Sequence, residues 1–512
     1  MQRYTPGNVG GGVFYDVDPI QLPPQAWSTA SNFYFENGAA KRVDGYSLYG
    51  AATGTPIFAI PVLASPNYFW VYANDAGNVY GTDGTTTNLL NPSDTADFFS
   101  TIPNKWNGGV LGGVLILNNG VDDPHYWESA SLTSNLTALT NWPASTTTKV
   151  IRPHRDLLIA LNTTETGTAF PQRMRWSTSA PSGSLPDSWD AADPTKRAGF
   201  YDFAQTDGEI VDGASLRDSF IVYKSDSVWR AQWIGGNAVF AFTEISRDTG
   251  LLSTNCIAEY KGVQFALMQG DVVMCDGNRI ESIIDKKNRE YLFNNIDPDN
   301  FDSVFVSIDV ANSQLMVCYP KQGSDYPDSA MLYDIKQGSW GHRDLPSLRH
   351  IANGIVDPGT SQLVDDYSDV VDTFDGFVDA LAFNPPEVSQ MWVSNDGNLY
   401  KGNDGSTANG TVISSLLVKQ DVPLTGSIDY RTMVTRVIPS ISGTTGDTVN
   451  VSIGVSEGFS QPIMWQTSTY TIGTDYKCDF RTSGRLVAIR FTGNTQYDVT
   501  NYEIQYAKRG ER

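Results

Sequence analysis

Helical periodicity is almost missing from this 512-residue sequence. Only three short segments show the spacing of an amphipathic helix: Gln25–Asn32, Ser93–Ser100 and Asp285–Asn294. The rest consists of short runs rich in Val, Ile, Tyr, Phe and Trp, which clusters of Gly, Asn, Asp and Pro interrupt. The scarcity of helix excludes a mainly helical fold, and the pattern predicts an all-β protein.

Cysteine and histidine are also scarce, with four residues of each. The cysteines lie far apart without CxxC spacing, which excludes a common zinc motif and a disulfide framework and predicts buried free thiols. The histidines fit neither HExxH nor another usual ligand spacing, so we expect them in the core or in solvent. These eight residues are Cys256, Cys275, Cys318, Cys478, His125, His154, His342 and His350.

Long apolar runs are absent, since no stretch of about 18 apolar residues occurs. The opening MQRYTPGNVGGG lacks the basic and apolar regions of a signal peptide, so we expect a soluble chain made in a reducing cytoplasm. GxSxG, Walker A and GxGxxG-plus-helix motifs are missing as well. We therefore expect no catalytic residues, no cofactor and no metal, although a carboxylate pair at glycosidase separation stays open.

Charged residues make up only 18% of the chain, but 57 are acidic and 35 basic, which gives a net charge of −22. Affinity for DNA depends on Lys and Arg that displace counterions from phosphates. This balance excludes a protein that grips DNA, and it is compatible with a surface past which DNA slides.

Three segments share one hairpin pattern: YFWVYANDAGNVY from Tyr68, VVMCDGNRI from Val272 and MWVSNDGNLY from Met391. Each places Asp or Asn and Gly where a tight turn needs a positive φ, and an apolar residue then returns to the sheet. Such units recur at about the 40 to 50 residues that a four-stranded blade requires. The spacing predicts a β-propeller of about six to eight degenerate blades, with a long irregular sandwich as the alternative.

Changes in composition and in the length of the strand-like runs divide the chain into three predicted parts. Residues 1–50 form an N-terminal arm that straps onto the body and closes the propeller ring with a strand, and residues 51–405 form the propeller. The polar loop KGNDGSTANG, Lys401 to Gly410, marks a boundary. Residues 411–512 have long alternating strands with few aromatic residues, which predicts a C-terminal β-sandwich that serves as a tip or an interface.

Two motifs suggest an enzymatic or a metal-binding function. Ser394 to Tyr400, SNDGNLY, resembles the sialidase Asp box, but its glycine comes one position early and the box is a turn motif rather than a catalytic site. The acidic segments Asp369–Ala380 and Asp297–Asp302 offer oxygen ligands for calcium but lack EF-hand spacing, so solvated loops are favoured.

Several segments together resemble the nozzle or hub proteins of short-tailed phage (podovirus) tails, the family of tail tubular protein B and the packaged-DNA stabilisation proteins. At the start, the similarity lies in Asn32, the turn at Asn37 and Gly38, Arg42 and Gly45. In the middle it lies in DVVMCDGNRIESI, in NREYLFN with Tyr291, Phe293 and Asn294, and in MLYDIKQGSW, which ends at Trp340. The segments GRLVAIRFTG and YEIQYAKRGER extend it to the C-terminus.

The resemblance implies a structural virion protein of the tail rather than an enzyme. It implies a cyclic ring, six-fold in the family, that extends the DNA channel below the portal and adaptor, retains packaged DNA and conducts it during ejection. The implied partners are further copies of the chain, the adaptor, tail fibres or spikes, a tail-tip plug, and double-stranded DNA that passes without sequence-specific binding. The alternative function is a carbohydrate-binding or glycan-cleaving propeller, which predicts one concave pocket lined by Trp, Tyr and paired carboxylates.

Overall fold

The computed structural model describes residues 2–64, 67–92, 98, 105–128, 131–193, 195–236, 238–356 and 388–511. The described chain begins with an arm, residues 2–50, whose short strands pair with strands from later parts of the chain. A 3₁₀ turn at Pro19–Gln21 follows Asp18, whose carboxylate accepts the N–H of Ile20. The five N-terminal strands are β1 (Gln2–Tyr4), β2 (Thr29–Ser31), β3 (Phe33–Glu36), β4 (Ala39–Arg42) and β5 (Tyr46–Ala51).

After the arm, the described residues form a β-propeller of seven blades. Blades 1 to 5 are separate four-stranded antiparallel sheets, each made of four consecutive strands. The strands of blades 1 and 2 are β6 (Pro56–Ala64), β7 (Asn67–Asn74), β8 (Val79–Thr82), β9 (Thr87–Leu89), β10 (Asn107–Leu111), β11 (Val114–Asn118), β12 (His125–Trp127) and β13 (Thr137–Ala138). Those of blades 3 and 4 are β14 (Thr146–His154), β15 (Leu157–Glu165), β16 (Thr168–Trp176), β17 (Gly199–Asp202), β18 (Ile210–Leu216), β19 (Ser219–Lys224), β20 (Ser227–Trp233) and β21 (Phe240–Arg247).

Blade 5 is followed by helix α1 (Asp285–Asn295), which leads into blades 6 and 7. A 3₁₀ turn at Phe301–Ser303 precedes blade 6. The strands of blades 5 to 7 are β22 (Ile257–Tyr260), β23 (Val263–Met268), β24 (Asp271–Cys275), β25 (Ile280–Ser282), β26 (Phe305–Asp309), β27 (Gln314–Tyr319), β28 (Ser329–Asp334), β29 (Trp340–Asp344), β30 (Leu348–Ile355), β31 (Val388–Ser394) and β32 (Asn398–Gly402).

The arm closes the propeller ring, as the sequence predicts. Blade 7 has three strands of its own, and β5 supplies the fourth by pairing antiparallel with β32, Ser47 opposite Lys401. The first strands of successive blades lie side by side around the axis, and β30 of blade 7 lies beside β6 of blade 1. The blade number, seven, falls within the predicted range.

Local turn chemistry explains why the blades form. The three predicted hairpins are confirmed as β7–β8, β24–β25 and β31–β32, and their turn glycines, Gly77, Gly277 and Gly397, all have positive φ. Alternating apolar residues then pack between neighbouring blades. Trp127 of blade 2, for example, is buried against Phe69 of blade 1, with ring centroids 5.6 Å apart.

The last part of the chain builds two sheets together with the arm. One has five strands in the order β2-β35-β40-β37-β38. The other is a ten-stranded sheet in which blade 6 continues as β29-β3-β4-β41-β36-β39, with β1 beside β41. The strands after blade 7 are β33 (Thr407–Ala408), β34 (Thr411–Val412), β35 (Ser415–Val422), β36 (Tyr430–Gly443), β37 (Thr448–Ser456), β38 (Met464–Thr471), β39 (Cys478–Gly484), β40 (Leu486–Gly493) and β41 (Tyr497–Glu511).

These two sheets share one apolar core, to which Val451 and Ile489 contribute from the first sheet and Val437 and Ile504 from the second. A separate C-terminal sandwich is not confirmed, because residues 411–512 complete both sheets only with strands from the arm. The polar loop at 401–410 contains β33, whose Ala408 pairs in parallel with Tyr46 of β5.

The helix predictions have mixed outcomes. The helix predicted at Asp285–Asn294 is confirmed as α1. The helix predicted at Gln25–Asn32 is wrong: Thr29–Ser31 is a strand paired with β35, and Asn32 has a φ of 59°, which a right-handed helix does not allow. The third predicted helix, Ser93–Ser100, lies outside the described residues except for Phe98. Within the described ranges, none of the helices has the length and apolarity needed to cross a membrane.

Candidate functional site

Six of the nine family-like positions lie where the arm meets blade 6 and the C-terminal strands. We call this region, formed by residues 9–45 with β29, segment 403–414 and β41, the junction. Asn32 stands at its centre. Its Nδ2 donates to Asp344 Oδ2 at 2.8 Å and to the Ser414 carbonyl at 2.8 Å, and its Oδ1 accepts the N–H of Asp344 at 2.8 Å. One amide therefore joins the arm to blade 6 and to the start of β35.

Arg42 is the second connection of the junction, and its side chain is fully buried. Its guanidinium donates to Gln496 Oε1, to the Ser406 carbonyl at 2.9 Å and to the Ile413 carbonyl at 3.3 Å. Gln496 returns a hydrogen bond from Nε2 to the Arg42 carbonyl at 2.9 Å. Burial lowers the pKa of Arg42, because desolvation destabilises its charged form. The hydrogen bonds to these acceptors offset that cost.

Two glycines set the path of the arm through the junction. Asn37 and Gly38, with φ of 52° and 78°, form the turn between β3 and β4, the type I′ geometry that hairpins favour. Gly45 passes so close to β33 that a Cβ atom there would lie 2.1 Å from the Thr407 carbonyl oxygen. Only glycine fits this crossing, which aligns β5 with blade 7.

Helix α1 and Trp340 hold the start of the arm. The ring of Tyr291 stacks on Tyr15 with centroids 3.7 Å apart, and the Asn288 side chain bonds the backbone of Val13 and of Tyr15. The Trp340 indole is buried and donates to the Ile283 carbonyl at 3.2 Å. The backbone carbonyl of Trp340 accepts the N–H of Val13. Of the two other family-like positions, Phe293 packs on the core and Asn294 is exposed.

Sequence reasoning missed Lys419, which fixes the arm from the opposite side. Its ammonium group donates to the carbonyls of Pro23, Pro24 and Ala26 at 2.7 to 2.9 Å. Burial lowers its pKa to about 8. The only signal in the sequence is a single lysine inside the apolar run SSLLVKQDV, which argues for a buried and hydrogen-bonded cation.

A cavity of about 400 Å³ lies in the central channel of the propeller. Arg152 donates two hydrogen bonds, of 2.8 and 3.1 Å, to the Asp212 carboxylate and a third to Asn255 Oδ1. Asp212 accepts a third hydrogen bond from the Asn255 backbone, so its carboxylate is fully engaged. The other lining carboxylate, Glu259, accepts the N–H of Gly262. Among the described lining residues there is no Trp or Tyr. Arg152, Asp212 and Asn255 link the adjacent blades 3 and 4 to the segment that leads into blade 5.

The motifs weighed for other functions take structural positions where the structure describes them. Tyr400 donates its hydroxyl to Asp396 at 2.6 Å, and Asp396 accepts the N–H of Asn398, so the Asp-box-like segment is a hairpin turn. The Asp297 carboxylate accepts the backbone N–H of Asp299 and of Gly323. The segment at 369–380 lies outside the described residues. All four cysteines are buried free thiols, as predicted.

Two histidines lie deep in the propeller as neutral groups. Nδ1 of His154 pairs with Ser215 Oγ at 3.0 Å, and Nε2 of His342 pairs with Ser329 Oγ at 2.8 Å. In each ring the other nitrogen is buried without a hydrogen-bond partner within the described structure. Burial lowers the pKa of both to about 4.

This burial predicts a loss of stability in mild acid. In the unfolded chain each histidine takes up a proton with a pKa near 6.5, whereas in the folded chain it does so only with a pKa near 4. The stability that depends on the neutral, buried ring is therefore complete above pH 6.5 and is lost as the pH falls from 6.5 towards 4. Each histidine is expected to lower the free energy of unfolding by about 2 kcal/mol between pH 7 and 5. Urea unfolding of the parent chain and of His342→Gln at both pH values checks this, and an unchanged pH dependence in the variant would contradict it.

Comparison with known proteins does not identify a family for this chain. No protein-family model matches the chain, and no curated protein matches it either. The WD40 β-propeller domain of Doa1 covers 70% of this chain and 96% of its own at 11% identity, with a TM-score of 0.37. The computationally designed Ika8 protein covers 70% and 99% at 9% identity, with a TM-score of 0.34. The strand pairing described above defines the chain as a β-propeller protein.

Proposed function

We propose that this chain is a structural virion protein of a short phage tail. It is one subunit of the nozzle ring that extends the DNA channel below the portal and adaptor, retains packaged DNA and conducts it during ejection. Copies of the chain surround the channel, with the adaptor above and fibres or spikes and a plug as further partners. The role is shape and mechanical continuity rather than turnover of a substrate.

The continuous ten-stranded sheet carries the proposal. It runs from blade 6 through β3 and β4 of the arm to β41, β36 and β39, so backbone hydrogen bonds connect the propeller with the C-terminal strands. A ring wall under internal pressure needs subunits whose lobes keep a fixed relation, and a shared sheet supplies it. The arm residues that resemble the nozzle family, Asn32 and Arg42 above all, stabilise this connection.

The distribution of charge supports a DNA conduit. Residues 1–410 contain 25 basic and 48 acidic side chains, whereas residues 411–512 contain ten and nine. The whole acidic excess therefore belongs to the arm and the propeller. A wall that attracted the phosphates would slow DNA during ejection, since each neutralised phosphate adds to the affinity. An acidic or neutral wall keeps the passage free of binding.

Labelling of virions tests the role. Gold-conjugated antibody against this chain, applied to virions of the phage that encodes it, is expected to mark the tail axis below the portal in cryo-images. Label only on peripheral appendages, or no label on virions, would contradict the proposal. Release of reducing sugar from host surface polysaccharide by the purified chain would favour the glycan-cleaving alternative instead.

A further inference from the structure

The outer edges of the propeller blades differ in one respect that bears on assembly. An open edge strand exposes unpaired N–H and C=O groups, and proteins usually keep such strands short. The last strands of blades 1, 2, 3 and 5 have three, two, four and three residues. The last strand of blade 4, β21, has eight residues and pairs only with β20 among the described strands. Blade 4 therefore has a long open edge.

The C-terminal strands have a second edge of the same length. Strand β38 also has eight residues and pairs only with β37 within the described chain. Its sequence, MWQTSTYT, contains no charged residue and no proline, the two features that normally protect an edge. Met464 at its start is 65% exposed. In this β38 differs from β21, which carries Glu244 and Arg247, and from the neighbouring edge strand β39, which carries Asp479 and Arg481.

Backbone hydrogen bonds show which groups of β38 point outward. Ile472 exchanges hydrogen bonds with Gly446 and Asp447 on the β37 side, and the N–H of Thr471 turns away to the Asp475 carboxylate. Because direction alternates along a strand, the N–H and C=O groups of Trp465, Thr467 and Thr469 face the open edge.

The same reasoning applies to β21. The Val239 carbonyl accepts the N–H of Ile234 on the β20 side of the hairpin. Alternation from Val239 then turns the backbone groups of Phe240, Phe242 and Glu244 outward. Each open edge therefore presents three residues with both backbone groups free for a partner strand.

We infer that β21 of one copy pairs antiparallel with β38 of a second copy of this chain. In the matching register Trp465 faces Glu244, Thr467 faces Phe242 and Thr469 faces Phe240, which makes six backbone hydrogen bonds. The two strands have equal length, and the outer edge strands of blades 1, 2, 3 and 5 are all shorter.

Each copy carries both halves of this contact, so the contact is head-to-tail and propagates to a closed ring or a filament. The inference rests on the proposed assembly of the chain into a ring, for which it supplies the contact. It also explains why an unprotected β38 edge is tolerated, because the partner strand covers it.

Disulfide trapping tests the register. Thr243 and Gln466 are both exposed and become directly opposite, in a non-hydrogen-bonded pair whose Cβ atoms approach to about 5 Å. The double variant Thr243→Cys/Gln466→Cys is expected to form a covalent ladder of trimers and larger species under oxidation, while either single variant forms none. The four native cysteines are buried and give a low background.

Three results of the trapping would overturn the contact. They are the lack of a ladder in the double variant, dimers from Gln466→Cys alone, which indicate pairing of β38 with β38, and an equal ladder from Thr243→Cys/Asn450→Cys. Asn450 is exposed on the adjacent strand β37 and serves as the matched control.

Proline substitution gives a second measurement that does not depend on trapping. Thr467→Pro removes one outward N–H without breaking the β37 ladder, and proline is tolerated on an edge. Light scattering is expected to show a single copy for Thr467→Pro and the parent multimer for the control Thr467→Val. A parent chain that is itself a single copy, or a multimer that survives the proline, overturns the contact.

Virion label at the tail without a ladder overturns this inference alone, whereas a ladder without tail label contradicts only the proposed function.

Discussion

Replacing Arg42 by methionine is expected to lower the free energy of unfolding by about 3 kcal/mol, because three partly buried hydrogen bonds of its guanidinium are lost. Two of these acceptors, the carbonyls of Ser406 and Ile413, belong to the backbone and cannot be removed with the side chain. The third, Gln496 Oε1, loses the guanidinium, while Nε2 of the same side chain still donates to the Arg42 carbonyl. Methionine fills a similar volume, so the experiment isolates the lost hydrogen bonds from a cavity.

The cost of burying the cation works against this loss. Burial lowers the pKa of Arg42, which shows that the site disfavours charge, and the removal of a buried ion can be neutral when its partners are removed as well. Here the partners remain. Each hydrogen bond of a charged group contributes about 1.5–3 kcal/mol, so the loss of three outweighs the relief of desolvation.

Lys41 offers a matched control on the same strand. It is partly exposed and pairs with Glu36 at 2.8 Å, and a pair of this kind contributes less than about 1 kcal/mol. Urea unfolding midpoints of Arg42→Met and Lys41→Met are expected to differ by the equivalent of about 2 kcal/mol or more. Equal losses in the two variants would show that Arg42 does not connect the arm with the C-terminal strands.

The sequence predicts the propeller because the signal of a blade is local. An Asp or Asn followed by Gly between two apolar runs determines a hairpin within about a dozen residues, and Gly77, Gly277 and Gly397 adopt the positive φ that this pattern requires. The blade number is harder to predict because the spacing is irregular. In blade 3, residues 177–198 separate β16 from β17, whereas other turns need only a few residues.

The junction is harder to predict because its contacts are distant in sequence. Asn32 bonds Asp344 across 312 positions, and no periodicity in either segment indicates this partner. The wrong helix at Gln25–Asn32 has the same origin, since pairing with β35 overrides a weak local pattern. Resemblance to a family marked Asn32, Arg42 and Gly45 as residues of interest, and the structure adds Lys419, which local patterns identify only as an isolated cation in an apolar run.

The substitution Gly45→Ala is expected to destabilise the closure of the ring by about 3 kcal/mol. The new methyl group would lie 2.1 Å from the Thr407 carbonyl oxygen and 2.5 Å from the Thr407 nitrogen, and both are backbone atoms that cannot rotate away. Relief requires moving Gly45 or β33. Either movement weakens the hydrogen bond from the Gly45 N–H to the Gly405 carbonyl, now 2.7 Å, and disturbs β5, which begins at the next residue.

Gly50 of β5 supplies the control, since a Cβ atom there meets nothing within 4 Å. Gly50→Ala is expected to be neutral or to stabilise the fold by up to about 1 kcal/mol, because alanine restricts the unfolded chain. Urea unfolding gives the two free energies, and limited proteolysis reports whether the arm has been released. Since β5 is the fourth strand of blade 7, early cleavage within the arm of Gly45→Ala would show that the crossing at Thr407, rather than the sequence of β5 itself, holds the propeller closed. Equal stability and equal protection in the two variants would instead mean that the ring closes without this close approach.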